Sequence, residues 1–311
     1  MKIIKPEIIT NTILDQTDGS NIPEPDTATT PPEAIYVAET TYAAGEQVIV
    51  IATHKVYESL VGSNQGNYPP TDVLLISPKW LEIGATNRWR ALDGKIGSKT
   101  SQATSITYHL HIPVIDSIAL LGLVGTSLSI IVKDITDVEV YNKTVDLTNN
   151  DAVIDWYTYF FEEIIFSEDT VHTDLPAAYG STLDIVITNT GSVALVGEIV
   201  IGNVATIGIT RADPKPSISI KDYSTKDTDV FGNITIVERT YSKRLSCDLI
   251  IYNSELDNIY NLFALYRSTP IVWIGSELYG SMIVYGFYKE LDVVIPYPLM
   301  SECSLELEGL S

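Results

Sequence analysis

Apolar and polar residues alternate with a period of two along much of this chain. That spacing turns one face of a β-strand towards a core and the other towards water. The clearest run closes the sequence, with Cys303, Leu305 and Leu307 on one side and Ser304, Glu306 and Glu308 on the other. The same alternation, or a short apolar run, predicts strands over Gln47–Ile51, His54–Tyr57, Ser105–Leu110, Ser117–Leu123 and Leu128–Lys133. It also predicts Trp156–Ile165, Thr182–Thr188 and Glu198–Ile201, with Asn189-Thr-Gly-Ser192 as the turn between the last two. Beyond these lie Ile234–Arg239, Leu245–Tyr252, Ile271–Ile274, Met282–Leu291 and Ser301–Leu310. One segment changes period. Leu256, Ile259, Tyr260, Phe263 and Tyr266 recur about every 3.6 residues. They predict a helix capped by Ser254, with Asp257 at its third position and Pro270 limiting its extension.

These elements divide the chain into four parts. Residues 1–31 read as an extended arm, because the prolines of Asn21-Ile-Pro-Glu-Pro-Asp26 and Thr30-Pro-Pro32 disfavour a packed helix or central strand. Its apolar beads, Ile4, Ile8, Ile9 and Ile13, suit either a disordered tail or a segment lying along a neighbouring subunit. Residues 32–84 form a small block of short strands, and residues 85–211 a larger β-sandwich. Asp213-Pro-Lys-Pro216 marks a boundary, after which residues 212–311 form an α+β unit with one helix covering a sheet. The expected fold class is mainly β and multi-domain.

Charge narrows the partners. The 311 residues carry 40 acidic and 19 basic side chains, a net charge of -21. Such a surface repels phosphate backbones and anionic lipid, so neither nucleic acid nor a membrane surface is expected to bind. The most hydrophobic stretch, Ile112 to Val132, is broken by Pro113, Asp116 and Gly125-Thr126, which fits two buried strands better than a membrane helix. Met1-Lys-Ile-Ile-Lys-Pro6 has no apolar signal-peptide core. Cys247 and Cys303 sit in alternating runs and read as buried thiols. The 18 Tyr against 6 Phe favour half-exposed strands and contact surfaces.

Candidate chemistry is sparse. His109-Leu-His111 would put two imidazoles on one strand face, but no third metal ligand has recognisable spacing. Asp222, Asp227 and Asp229, near Gly232, could form an oxygen-rich calcium loop, although the spacing is not that of an EF-hand and a solvated hairpin loop is the favoured reading. Glu162-Glu163, or Glu58 with Asp72, could be imagined as a glycosidase pair, yet 40 carboxylates make chance pairs inevitable. No nucleophile elbow, zinc-protease motif, P-loop or dinucleotide fingerprint occurs. The expectation is therefore a protein without catalysis, metal or cofactor. The best candidate surface is Tyr42, Tyr57, Tyr68 and Trp80, whose rings could stack on sugars while Asn64, Gln65 and Asn67 take hydroxyls. The alternative is that Tyr57 and Trp80 fill the core of a very small domain.

Three segments resemble known families. Thr41-Tyr-x-x-Gly45-x-x-Val48, with Tyr57 and Trp80, resembles small chitin-binding-type carbohydrate modules. Thr86-Asn-Arg-Trp-Arg-Ala-Leu-Asp-Gly94 opens a segment similar to galactose-binding-like jelly rolls of phage proteins. Tyr241-Ser-Lys-Arg244, Ile271-Val-Trp273, Tyr285-Gly-Phe-Tyr288 and Leu305-Glu-Leu-Glu-Gly-Leu310 resemble tail-tube or distal-tail domains. Together they look like an uncharacterised phage tail or baseplate protein family. The resemblance implies a homo-oligomeric ring in the virion tail, made in the host cytoplasm, that contacts other phage tail proteins, with host surface polysaccharide as a further candidate partner. A peripheral receptor-binding carbohydrate-binding protein and a tail-associated glycan hydrolase are the alternatives.

Overall fold

The computed structural model describes residues 1–14, 19–149, 156–157, 165–211, 213, 216–228, 231–276 and 279–310. The chain is mainly β, arranged in several sheets. In order, its strands begin with β1 (Lys2–Pro6), β2 (Gln47–Val50), β3 (Lys55–Ser59), β4 (Trp80–Ala85), β5 (Thr100–His111), β6 (Ser117–Leu121) and β7 (Ser127–Lys133). Next come β8 (Glu139–Asp146), β9 (Thr148–Asn149), β10 (Ile165–Phe166), β11 (Thr170–His172), β12 (Thr182–Val196), β13 (Glu198–Thr206) and β14 (Ile209–Thr210). The last are β15 (Ser217–Asp222), β16 (Thr225–Thr228), β17 (Ile234–Val237), β18 (Tyr241–Tyr252), β19 (Ile271–Ile274), β20 (Ile283–Val294) and β21 (Met300–Gly309). Helix α1 spans Pro69–Asp72 and α2 spans Leu256–Leu265. Among the described residues, no helix is long and apolar enough to cross a membrane.

A four-stranded antiparallel sheet, β5-β12-β7-β8, makes one layer of a sandwich. Its inward positions, among them Ile106, Tyr108, Leu110, Ile130 and Ile185, pack on Ile118, Leu120, Ile199 and Ile201 of β6 and β13. This second layer belongs to a much larger sheet, ordered β11-β6-β13-β1-β19-β20-β21-β18, with β14 and β15 both paired to β18. Hydrogen-bonded strands therefore run across the expected boundary near residue 212. Part of Asp213-Pro-Lys-Pro216, and nearly all of the strand expected at Trp156–Ile165, lie outside the described residues.

The N-terminal arm needs correction. Its first residues, β1, sit inside the large sheet between β13 and β19. Ile3 joins the core under α2 and Ile4 the core on the opposite face, both fully buried. A strand apolar on both faces satisfies two layers at once, which outweighs the proline closing it. Gly202 makes the pairing possible: a Cβ there would stand 1.9 Å from the Lys5 carbonyl oxygen.

The large sheet is strongly curled. β11 is first and β18 eighth in the strand order, so a flat sheet would hold them about 34 Å apart at ~4.8 Å per strand. Yet Lys243 of β18 reaches Asp169, the residue before β11, at 2.5 Å. Ala119, Leu121, Val200, Ile4, Val272, Ile274, Ile283 and Tyr285 line the concave side. The other face, over β18 to β21, is covered by Ile259 and Phe263 of α2.

Three local expectations also change. Tyr260 is exposed, so the buried stripe of α2 is narrower than its apolar spacing suggests. Glu255 occupies the N-cap position in a helical conformation and no side chain caps the helix. Asn189–Ser192 is no turn: β12 continues to Val196 through a bulge between Thr188 and Val193, with Gly191 at φ +78°. Cys247 and Cys303 are buried free thiols, and burial pushes them up to about 11 and about 12.

Candidate functional site

The small unit β2-β3-β4 collects the aromatic residues singled out for sugar binding, but turns them inward. Trp80 and Tyr57 are each 1% exposed and form its core with Tyr42, Val48 and Val50. Trp80 packs edge-on to Tyr42 at 5.2 Å, and its indole N–H donates to the Asn67 carbonyl at 2.9 Å. Asp72, buried at the end of α1, accepts the Trp80 and Lys79 backbone N–H groups, so it tethers the strand. The Val37 backbone N–H donates to the Tyr42 hydroxyl at 2.8 Å. Asn64 is buried and donates to Ser59 Oγ, while Asn67 donates to Asn64 Oδ1 at 2.7 Å. Of the expected stacking rings only Tyr68, 43% exposed, offers substantial surface, and one of its neighbours is Tyr36. A unit this small has few residues with which to build a core, and its largest side chains are taken for that purpose.

The remaining candidates are also occupied by structural contacts. His109 Nδ1 meets the Asp184 carboxylate, whose other oxygen lies 3.4 Å from Lys133, and His111 packs edge-on to His109. Among the described residues no group of three or more His, Cys, Asp or Glu is placed to hold a metal. Asp222 accepts from the Ser224 N–H and from Lys226; hydrogen bonds from Ser224 lead in holding its carboxyl down at about 2. Asp227 lies on β16, and Asp229 falls outside the described residues, as do Glu162 and Glu163. Glu58 takes a hydrogen bond from Gln47.

What the molecule does present is apolar side chains on projections. The largest is the hairpin β16–β17, which pairs only with itself. Phe231 is 86% exposed there, and Ile234, Ile236 and Val237 are all more than half exposed. Ile218 and Ile220 of neighbouring β15 extend the surface. A two-stranded ribbon is at best marginally stable alone in water, and this one keeps apolar side chains uncovered among the described residues. Its root is fixed by charge. Glu308 accepts from Lys221 at 2.6 Å and from Arg244 at 3.3 Å, and the Lys221 ammonium stands 5.0 Å over the Tyr223 ring. These bonds, Lys221 first, hold the Glu308 carboxyl below its ordinary range.

A second apolar surface lies at the other end of β18. Ile295, Tyr297, Leu299 and Met300 in and beside the β20–β21 connection are exposed, with Tyr252 of β18 and Tyr260 of α2. Tyr241 and Tyr252 bound β18, so its 12 residues separate the two surfaces by about 36 Å. A third projection, Leu74-Leu75-Ile76, leaves the small unit after α1. The Ile234 strand is legible in the sequence but its exposure is not, because period-two spacing implies a covered face whether or not the same chain supplies the cover. Compared with known proteins, the chain matches no family model and no curated protein.

Proposed function

We propose that this protein is a structural component of a phage tail or baseplate that assembles as a ring and contacts neighbouring tail proteins. The observation that carries assembly is the free-standing hairpin β16–β17 with its exposed Phe231, Ile234 and Ile236. A ring of identical subunits needs two different complementary surfaces on each copy. The two apolar surfaces at opposite ends of β18 meet that requirement, and the 294–300 connection would receive the hairpin of the next copy. The third projection leaves a surface for another tail protein. The tail setting rests on the resemblance of the final segment to tail-tube and distal-tail domains.

The test is the mass of the purified protein in solution, by light scattering, beside the double variant Ile234→Lys/Ile236→Lys. Both positions are exposed, so the variant should fold as the parent does. A discrete closed oligomer in the parent and a monomer in the variant are expected. A parent that stays monomeric at every concentration would remove the self-assembling ring, and an unchanged mass in the variant would remove the hairpin from the interface.

A further inference from the structure

The curl of the large sheet leaves a cavity of about 200 Å³ where distant strands converge. Leu121 and Gly122 enter it from the end of β6, Asp169 from the start of β11, Lys243 from β18, Ile283 and Tyr285 from β20, and Leu310 from beyond β21. The loop after the turn Asn87–Leu92 closes it with Ile96 and Lys99. Ile96, Leu121, Ile283 and Leu310 make its walls apolar.

The polar groups around these walls are not equivalent. Asp169 is matched, since it takes the Lys243 ammonium and the Gly122 backbone N–H. Glu168 lies on the rim with its side chain in solvent. Lys99 has no ion-pair partner among the described residues, in a chain where acids outnumber bases two to one. Its Cε lies 3.5 Å from where a Cβ on Gly122 would stand, so the end of its stem runs along the cavity wall. Tyr285 is 6% exposed and its hydroxyl has no hydrogen-bond partner among the described residues. Burial first, then Glu198 and Asp93, push its phenol pKa upward, so it remains a neutral donor. That hydroxyl is turned towards Gly94, 3.8 Å from where a Cβ there would stand.

We infer that this cavity is a binding site for a compact organic carboxylate, its apolar body against Ile96, Leu121 and Ile283 and its charge on Lys99. A cavity of roughly 150 Å³ holds a benzene ring, which sets the scale of the body. An unpaired cation on the wall of an apolar chamber selects an anion with an apolar tail over a neutral analogue of the same shape. Nothing in this depends on ring assembly, because every lining residue comes from one copy.

The probes are benzoate and benzamide, titrated by calorimetry into the full chain, its Lys99→Met variant and its Tyr285→Phe variant. Benzoate should bind the parent about tenfold more tightly than benzamide. Lys99→Met should abolish that preference while leaving benzamide unchanged, and Tyr285→Phe, whose lost hydroxyl is turned towards Gly94, should keep the preference. Lys99 is partly exposed, so its loss should not threaten the fold. Equal binding of the two probes to the parent, no binding of benzoate at millimolar concentration, or full benzoate affinity in Lys99→Met would each overturn the assignment. None of these outcomes bears on the solution mass.

Discussion

Lys243 Nζ lies 2.5 Å from Asp169 Oδ2, although β18 and β11, which Asp169 immediately precedes, stand seven places apart in the sheet. Both side chains are mostly shielded from water, so the contact is a staple that keeps the sheet curled. Removing the cation strands a shielded carboxylate that has only the Gly122 N–H left. Lys243→Met should therefore cost about 1–3 kcal/mol, whereas removing both charges should cost less than removing either alone. Urea unfolding of the two single variants and the double variant checks this; strictly additive losses would show that the pair is not coupled.

Burial inside the small unit makes Trp80 a stability residue. Trp80→Ala should cost about 3–5 kcal/mol through the cavity and the orphaned Asn67 carbonyl. Tyr68→Ala, at an exposed ring, should stay within about 0.5 kcal/mol. Thermal unfolding distinguishes the two, and a mild loss at Trp80 would contradict the packing described.

Glu198 introduces a pH dependence of stability. It is buried, accepts from the Gly94 N–H and lies near Asp93. Burial, then the Asp93 charge, raise its carboxyl to about 9 from an ordinary value of 4.5. The folded protein thus holds a proton that the unfolded chain releases between those values. The contribution is fully favourable below about 4.5 and is lost as pH rises through about 9. Glu198→Gln keeps a hydrogen-bond acceptor without the titration. It should raise stability by about 1–3 kcal/mol at pH 8 and flatten the slope between pH 5 and 9. Chemical denaturation across that range reads both effects; parallel curves for the parent and the variant would refute the assignment.

Backbone contact at β1 leaves no room for a side chain opposite Pro6. Gly202→Ala would drive a methyl group into the Lys5 carbonyl. The expected result is expulsion of β1 from the sheet and a loss above about 4 kcal/mol. Hydrogen exchange at Ile3 and Ile4 reports it directly, and retained protection there would mean that the strands can separate at little cost.

Much of the fold was legible because half-buried strands announce themselves by alternation. β5, β7, β12, β18 and β21 were found in this way, and α2 by its change of period. β1 gave no such signal, since Ile3 and Ile4 are adjacent and each serves a different core. Asn189–Ser192 carries turn residues because a bulge needs the same backbone freedom as a turn. The site was legible only in part. Tyr57 and Trp80 have the side chains that either a sugar platform or a miniature core requires, and packing decides between them. Lys99 and Tyr285 lie far apart in sequence, and the curl that brings them to one cavity has no local signature.

The position of β1 also sets an order of events during synthesis. Ile3 pairs with Ala205 and Trp273, roughly 200 and 270 residues later in the chain. Until residue 206 has left the ribosome β1 has no partner at all, and until residue 274 has done so its second side, which pairs with β19, stays open. The nascent chain therefore carries an open strand edge and a bare apolar segment through most of its translation, the period in which unpaired edges aggregate. The middle sandwich can close first and take in β1 through β13, and the large sheet then grows across β1 to β19 and beyond.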